Sequence, residues 1–413
     1  MGPSDRRAFL SRGAGLAGAL ALSPALRAAR ALAPGREPVE VAVVGAGKQG
    51  RAILGELGKL DSVRVVAVCD TSESRLKSGL RRVKDAVGHA SHDELLAAHP
   101  ALRAVFVATP THLHRQVVVD SLAAGKSVFC EAPFASTLED ARAMARAARG
   151  AQGVLAVGMQ GRSNPIYGLA RSFVRAGAIG QVAALRAQMH RKTSWRTPVA
   201  DASEERALNW VLDPEVSLGL VGEFGVQQFD VLHWFLEAYP TKVRARGSLQ
   251  LHADGRELPD TVAAELVFPG GQLLAWDATL ANSFDGQYEQ MFGSMGSVKL
   301  AWTAGWMFKE ADAPTQGWEV YANREQFHDE QGITLIADAT KLAAQNKLKE
   351  GVGLPNPPLY YALEDFVASA LDGEPVACTA EEGLRALAVG LAAVRALREG
   401  GEVEVTESDL TVD

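Results

Sequence analysis

Two groups of residues stand where their types could do chemistry. The first is Gly45-Ala46-Gly47-Lys48-Gln49-Gly50, directly behind the apolar run Val39–Val44. Three glycines at that spacing suit a strand-to-helix turn that holds a pyrophosphate. Gly45 permits the tight turn, Gly47 lets the backbone approach the phosphates, and Gly50 lets the helix pack close to the strand. The helix N-terminus adds N–H groups and the positive end of its dipole. Asp70 lies 20 residues beyond Gly50 and closes the next apolar run, Val63–Cys69. A carboxylate there accepts from ribose hydroxyls and repels a 2′-phosphate, which points to NAD ahead of NADP; Arg75, one or two helical turns further on, keeps NADP open. The second group is Cys130-Glu131-Ala132-Pro133, closing a third apolar run. Glu131 could exchange a proton there, whereas Ala132 beside it moves none.

The elements that must position these residues alternate between strand and helix. Strands are expected at 39–44, 63–69, 104–108, 127–130 and 154–157, and helices at 49–59, 114–124 and 138–149. Ser136-x-x-Glu139 reads as the capping box of the last helix. The short, continuously apolar strands imply a parallel sheet covered on both faces. After Gly158 the segments lengthen and alternate more often, at 182–188, 241–251, 261–268, 272–280, 288–292 and 297–301, with turn signals such as Pro269-Gly270-Gly271 between them. They predict a mostly antiparallel sheet backed by helices, one over Val226–Leu236. Residues 306–357 read as irregular, with a helical stretch near Ile336–Lys349, and two amphipathic helices, 360–371 and 380–398, close the chain. The expected fold class is therefore α/β: a Rossmann dinucleotide-binding domain over 34–158, then an α+β substrate and oligomerisation domain with a large antiparallel sheet over 159–413.

The first 33 residues read as a leader. Arg6-Arg7-Ala8-Phe9-Leu10, an uncharged stretch from Gly13 to Leu26 and the small-residue site Ala31-Leu32-Ala33 follow the order of a twin-arginine export signal. The expected location is periplasmic or extracellular. Losing that leader takes five arginines and one acid with it, moving the formal charge from −7 to −11. An acidic chain without a basic stripe argues against nucleic-acid binding and against adhesion to anionic membranes. No later run approaches the ~18 apolar residues of a membrane span. Cys69, Cys130 and Cys378 are too few and too scattered for a disulfide framework or zinc site, and read as buried thiols. His89-x-x-His92 and His112-x-His114 lack metal partners and read as solvated loop residues, so no metal is expected. There is no Gly-x-Ser-x-Gly elbow and no Walker loop.

Several segments in order resemble the glucose–fructose oxidoreductase / inositol dehydrogenase / MocA family. Thr109-Pro110-Thr111-His112-Leu113-His114 is similar to its Thr-Pro-x-x-x-His segment beside the nicotinamide ribose. Ala124-Gly125-Lys126-Ser127-Val128-Phe129-Cys130-Glu131-Ala132-Pro133 is similar to its Ala-Gly-Lys-x-Val-x-Cys-Glu-Lys-Pro segment, Gln160-Gly161-Arg162-x-x-Pro165 and Gly177-Ala178-Ile179-Gly180 to the start of its second domain, and Gly225-Val226-Gln227-Gln228-Phe229-Asp230 to its substrate-side helix. The resemblance implies that Gly45, Gly47, Lys48, Gln49, Gly50, Asp70, Thr109, Pro110, His114 and Glu131 hold the cofactor. It also implies a small carbohydrate substrate and a homodimer or homotetramer.

The departures from that pattern fall on proton transfer. The family lysine is matched by Ala132, its histidine by Gln227 and the aspartate before it by Glu223. Alanine moves no proton and glutamine does not titrate. Glu223 is the leading replacement base, with the helix-dipole carboxylate as its structural alternative; His190 and Lys192 are further candidates. Trp195-Arg196 and Asn209-Trp210 could face a sugar or anchor their loop. Three readings follow: an exported NAD(P)-binding oxidoreductase on a sugar with retained cofactor, a redox-neutral NAD-dependent glycosidase or lyase, and a catalytically impaired nucleotide- or sugar-binding protein.

Overall fold

The computed structural model describes residues 37–199, 201–315, 324–327, 330–336 and 353–413. The leader and nearly all of the helical stretch expected near 336–349 lie outside the described residues. Strands β1 (Val39–Val44), β2 (Val63–Cys69), β3 (Val87–His89), β4 (Ala104–Val107), β5 (Ser127–Glu131) and β6 (Leu155–Gly158) form one parallel sheet in the order β3-β2-β1-β4-β5-β6. Alternate residues of β1 enter different cores. Val41 and Val43 pack with α1 (Lys48–Leu57), while Ala42 and Val44 pack with α4 (His114–Ala123) and α5 (Leu138–Gly150). Both faces are thus covered, which is why these strands read as unbroken apolar runs. The short helices α2 (Glu73–Leu80) and α3 (His92–Ala98) complete the crossovers around β3.

Among the described residues the second sheet has ten strands. These are β7 (Val182–His190), β8 (Lys242–Ser248), β9 (Thr261–Val267), β10 (Leu273–Thr279), β11 (Gln287–Gly293), β12 (Gly296–Ala301), β13 (Ala304–Lys309), β14 (Arg324–Phe327), β15 (Glu330–Thr334) and β16 (Glu402–Glu404). Their order is β14-β15-β13-β12-β11-β7-β10-β9-β8-β16; β7 and β10 pair in parallel, and the other described pairs are antiparallel. One face packs on α6 (Pro165–Arg175), α7 (Val226–Leu236) and α9 (Ala380–Glu399); Phe229 of α7 meets Trp276 of β10 at 5.6 Å between ring centroids. Helix α8 (Pro358–Asp372) returns to the first sheet, where Phe366 sits edge-on to Phe106 at 5.2 Å.

Three local expectations need correction. Thr137, not Ser136, caps α5, accepting from the Asp140 N–H; adjacent hydroxyls made the two positions equivalent on paper. The stretch expected to be irregular carries most of β13 and all of β14 and β15, short strands of four to six residues in which β14 forms the edge. The strand expected at 241–251 ends at Ser248, because Asp260 captures the Gln250, Leu251 and His252 N–H groups in a turn. All three cysteines are buried and free.

Candidate active site

The glycine turn shows three different reasons for glycine. Gly45 has φ +96°, and a Cβ there would stand 2.4 Å from the Ala108 carbonyl oxygen. A Cβ on Gly50 would stand 1.7 Å from the Gly45 oxygen, so these two are fixed by packing. A Cβ on Gly47 would meet nothing within 4 Å. Gly47 faces open space at the start of α1, whose first turn no side chain caps. Free N–H groups beside open space are what a phosphate needs. Asp70 completes the turn: its Oδ2 accepts from the Ala46 N–H at 2.7 Å and its Oδ1 from the Ser72 N–H at 2.8 Å. Each oxygen keeps a lone pair for a ribose hydroxyl. These residues fit a bound dinucleotide.

The ends of β1, β4 and β5 are tied to one another. Gln49 Nε2 donates to Glu131 Oε1 at 2.8 Å. Burial pushes the Glu131 carboxyl up to about 7, against hydrogen bonds from Gln49, the Ala132 N–H and Gln160. His114 is not a solvated loop residue: it is 1% exposed, with Nδ1 at 3.1 Å from the Phe134 oxygen and Nε2 at 3.0 Å from the Thr109 oxygen. Both ring nitrogens are taken, so His114 positions the 109–113 and 132–134 segments from beneath. Thr109 Oγ1 and His112 Nδ1 are buried without a partner among the described residues. Leu113 and the remainder of that turn lead directly into α4.

The substrate side is built on α7. A π-helical turn, Val221–Gly225, runs into it and sets Glu223 one turn before Gln227. Four residues apart, they share a helix face. Glu223 Oε1 and Gln227 Oε1 are both buried and unpartnered among the described residues. Burial pushes the Glu223 carboxyl up to about 8; an N–H from Leu218 opposes the shift only in part. The neighbouring residues anchor the helix instead. Gln228 accepts from Trp276 Nε1 at 2.7 Å and its amide reaches Glu289 Oε1 at 2.8 Å. Asp230 holds Arg162 through two 2.8 Å bonds, and Glu382 joins the same guanidinium. Because Gln160 reaches Glu131, the Gln160–Ser163 turn connects the end of β5 to α7. This turn was legible only as a resemblance; its bridging role was not.

Other candidates fall elsewhere. His190 pairs with Asp277, on the sheet face opposite Trp276 and therefore opposite α7. Lys192 is exposed, its backbone N–H donating to Ser283 Oγ at 2.7 Å. Arg196 is held by Asp254 and Glu205, and Asn209 is spent on both backbone groups of Thr197. Those bonds staple the loop and leave its tryptophans toward the site. Trp195 packs on Phe224 at 5.0 Å, next to Glu223, and Trp210 on His112 at 5.9 Å. Ala132 is half-buried in the shared core. His92, Asp93 and Asp120 gather on α3 and α4, where a 2.8 Å His92–Asp120 pair accounts for them.

Sequence profiles decide the family. Residues 39–159 match one described as an oxidoreductase family with an NAD-binding Rossmann fold, and residues 171–405 match its C-terminal α/β domain. The chain belongs to the Gfo/Idh/MocA oxidoreductase family. It is an NAD(P)-dependent oxidoreductase by that membership, and its first domain is the NAD-binding one. Among its relatives, inositol 2-dehydrogenase 1 of Saccharopolyspora erythraea is 25% identical over 90% of this chain and 97% of that protein. The 1,5-anhydro-D-fructose reductase of Ensifer adhaerens is 28% identical over 76% of this chain and 82% of its own. The solved structure of a levoglucosan dehydrogenase with NADH and levoglucosan superposes with a TM-score of 0.71 at 18% identity, covering 90% of this chain and all of that one. That likeness is one of fold.

Proposed function

We propose that this chain is an exported oxidoreductase acting on a hydroxyl of a cyclic polyol or sugar derivative, with Glu223 as its proton-exchanging group. The observation that carries this reading is the half-buried Glu223 carboxyl, unpartnered at Oε1, pushed up to about 8 and set one turn from the unpartnered Gln227 amide oxygen. A proton-exchanging group works best with a pKa near the working pH. When bound, NAD supplies the hydride acceptor. As the carbinol carbon is oxidised, the Glu223 carboxylate takes the hydroxyl proton; in the reverse direction its carboxylic acid returns it. Gln227 accepts a hydrogen bond and orients the hydroxyl, taking no proton. Trp195 and Trp210 offer apolar faces for ring carbons, and the Gln49–Glu131 bond fixes the floor beside Ala132. The relatives that act on inositol, levoglucosan and 1,5-anhydro-D-fructose support this substrate class.

The twin-arginine pattern at Arg6-Arg7 supports export in the folded state, with the cofactor retained through each cycle. A second copy is expected on the outer face of the ten-stranded sheet, where Leu273 is 45% exposed. A redox-neutral elimination is the second reading, favoured by the pair of raised carboxyls at Glu131 and Glu223. The test is a panel of inositols, anhydrosugars and glycosides, run with and without added NAD. Formation of reduced nicotinamide on a polyol supports the oxidoreductase, and product release from a glycoside without added NAD supports elimination. Binding without turnover on any member overturns both.

A further inference from the structure

Trp195 holds a backbone conformation that its size disfavours. Its φ is +61°, in the left-handed region, where Cβ crowds the carbonyl oxygen. Among the described residues the other tryptophan with positive φ is Trp302, at +59°. Trp302 is one of the two residues that join β12 to β13, and a two-residue hairpin turn demands that conformation. No hairpin surrounds Trp195, which lies in irregular chain beyond the end of β7. A strained residue of this kind persists only where its surroundings over-determine it.

The restraint comes from the loop between β8 and β9. Arg256 lies there with its side chain 1% exposed. Its Nη2 donates to the Ser194 carbonyl oxygen at 2.6 Å, and its Nε and Nη2 donate to the Asp254 carboxylate at 2.7 and 2.6 Å. Asp254 Oδ2 also accepts from Arg196 Nε at 2.9 Å, while Glu205 takes another arm of Arg196. One Asp254–Arg256 pair thus fixes the main chain before Trp195 and the side chain after it. Hydrogen bonds from Arg256, ahead of those from Arg196, hold the Asp254 carboxyl well below its usual range, so the clamp stays ionised. Burying a guanidinium is costly unless it is paired, and here the pairing serves the residue between its two anchors. What the clamp aims is the indole, half-buried with its ring 5.0 Å from that of Phe224, the residue after Glu223. We propose that Trp195 is the specificity-determining residue of the Glu223 site, its indole carrying the apolar face of a cyclic polyol, and that Arg256 and Asp254 are positioning residues that act through it. The inference rests on the Glu223 reading of the site and narrows its substrates. A ring presents one rigid face of C–H bonds to an indole, and an acyclic polyol with the same number of hydroxyls does not.

The test is calorimetric titration of the full chain, saturated with NADH so that no turnover occurs, with myo-inositol, levoglucosan and the acyclic polyol sorbitol. It is repeated on Trp195→Gly, Arg256→Met and the double variant; Arg256→Gln replaces Arg256→Met if the methionine does not fold. Glycine takes the left-handed conformation without strain, so Trp195→Gly removes the indole and leaves the clamp in place. The wild type is expected to bind at least one of the two rings at least about tenfold more tightly than sorbitol. Trp195→Gly and Arg256→Met should each weaken that ring at least about tenfold and leave sorbitol unchanged. The double variant should bind the ring no more weakly than Trp195→Gly alone, because Arg256 then has nothing to aim. Ring binding unchanged in Trp195→Gly overturns the specificity role. Additive losses in the double variant, or a loss on sorbitol equal to that on the ring, overturn the positioning role. Both results leave Glu223 standing where Glu223→Gln still lowers turnover. A wild type that binds neither ring overturns this inference and the substrate reading together.

Discussion

Replacing Glu223 with glutamine keeps the size of the side chain and removes its proton, so two quantities should move in opposite directions. Activity should fall. A positioned proton-exchanging group contributes roughly 10²–10⁴-fold, so kcat/KM should drop by that factor, about 3–5 kcal/mol of transition-state stabilisation. The pH profile of oxidation should change with it. Wild-type activity should climb as Glu223 ionises and level off above its raised value of about 8, and the variant should lack that limb. Stability should rise. The folded chain keeps a proton on Glu223 between 4.5 and about 8 that the unfolded chain has released. Within that window wild-type stability therefore declines as pH increases, by up to 1.36 kcal/mol per pH unit. Solvent at the partly exposed side chain reduces the total to about 2–3 kcal/mol. Glutamine never ionises, so the variant should be more stable than wild type by that amount near pH 8 and nearly equal to it near pH ~5. Urea unfolding at the two pH values, with initial rates on the best polyol found, reads both effects. Unchanged kcat/KM would remove Glu223 from the reaction, and a variant less stable near pH 8 would refute the account of a desolvated, unpartnered carboxyl.

Gly47→Ala should separate binding from folding. Its Cβ meets nothing within 4 Å, so urea unfolding should show stability unchanged or raised by about 0.4–1 kcal/mol, while titration shows dinucleotide affinity reduced at least about tenfold. Arg162→Met strands Asp230 in the core and should cost about 3–5 kcal/mol in urea unfolding, much of it recovered on adding Asp230→Leu. Gln228→Leu leaves the Trp276 indole N–H and Glu289 short of a partner and should destabilise by about 2–4 kcal/mol, read by the loss of tryptophan fluorescence on heating. Glu289, pushed up to about 7 by burial, should titrate with a changed value in that variant, measured by carboxyl NMR.

The cofactor half of the site was legible because local sterics dictate it. Gly45 and Gly50 stand against backbone oxygens that admit no other residue, and Asp70 must end β2 to reach the turn. Helix α7 was legible to the residue at both ends, since its apolar run follows Gly225 and stops before the left-handed Glu237. What lay hidden depends on contacts between distant segments. No pattern in 358–372 says that its apolar face belongs to the first sheet, and nothing local marks the π-helical turn that carries Glu223 with its Oε1 unpartnered. The place of His190 was within reach, because strand period alone sets it on the face away from Leu185 and Ala187.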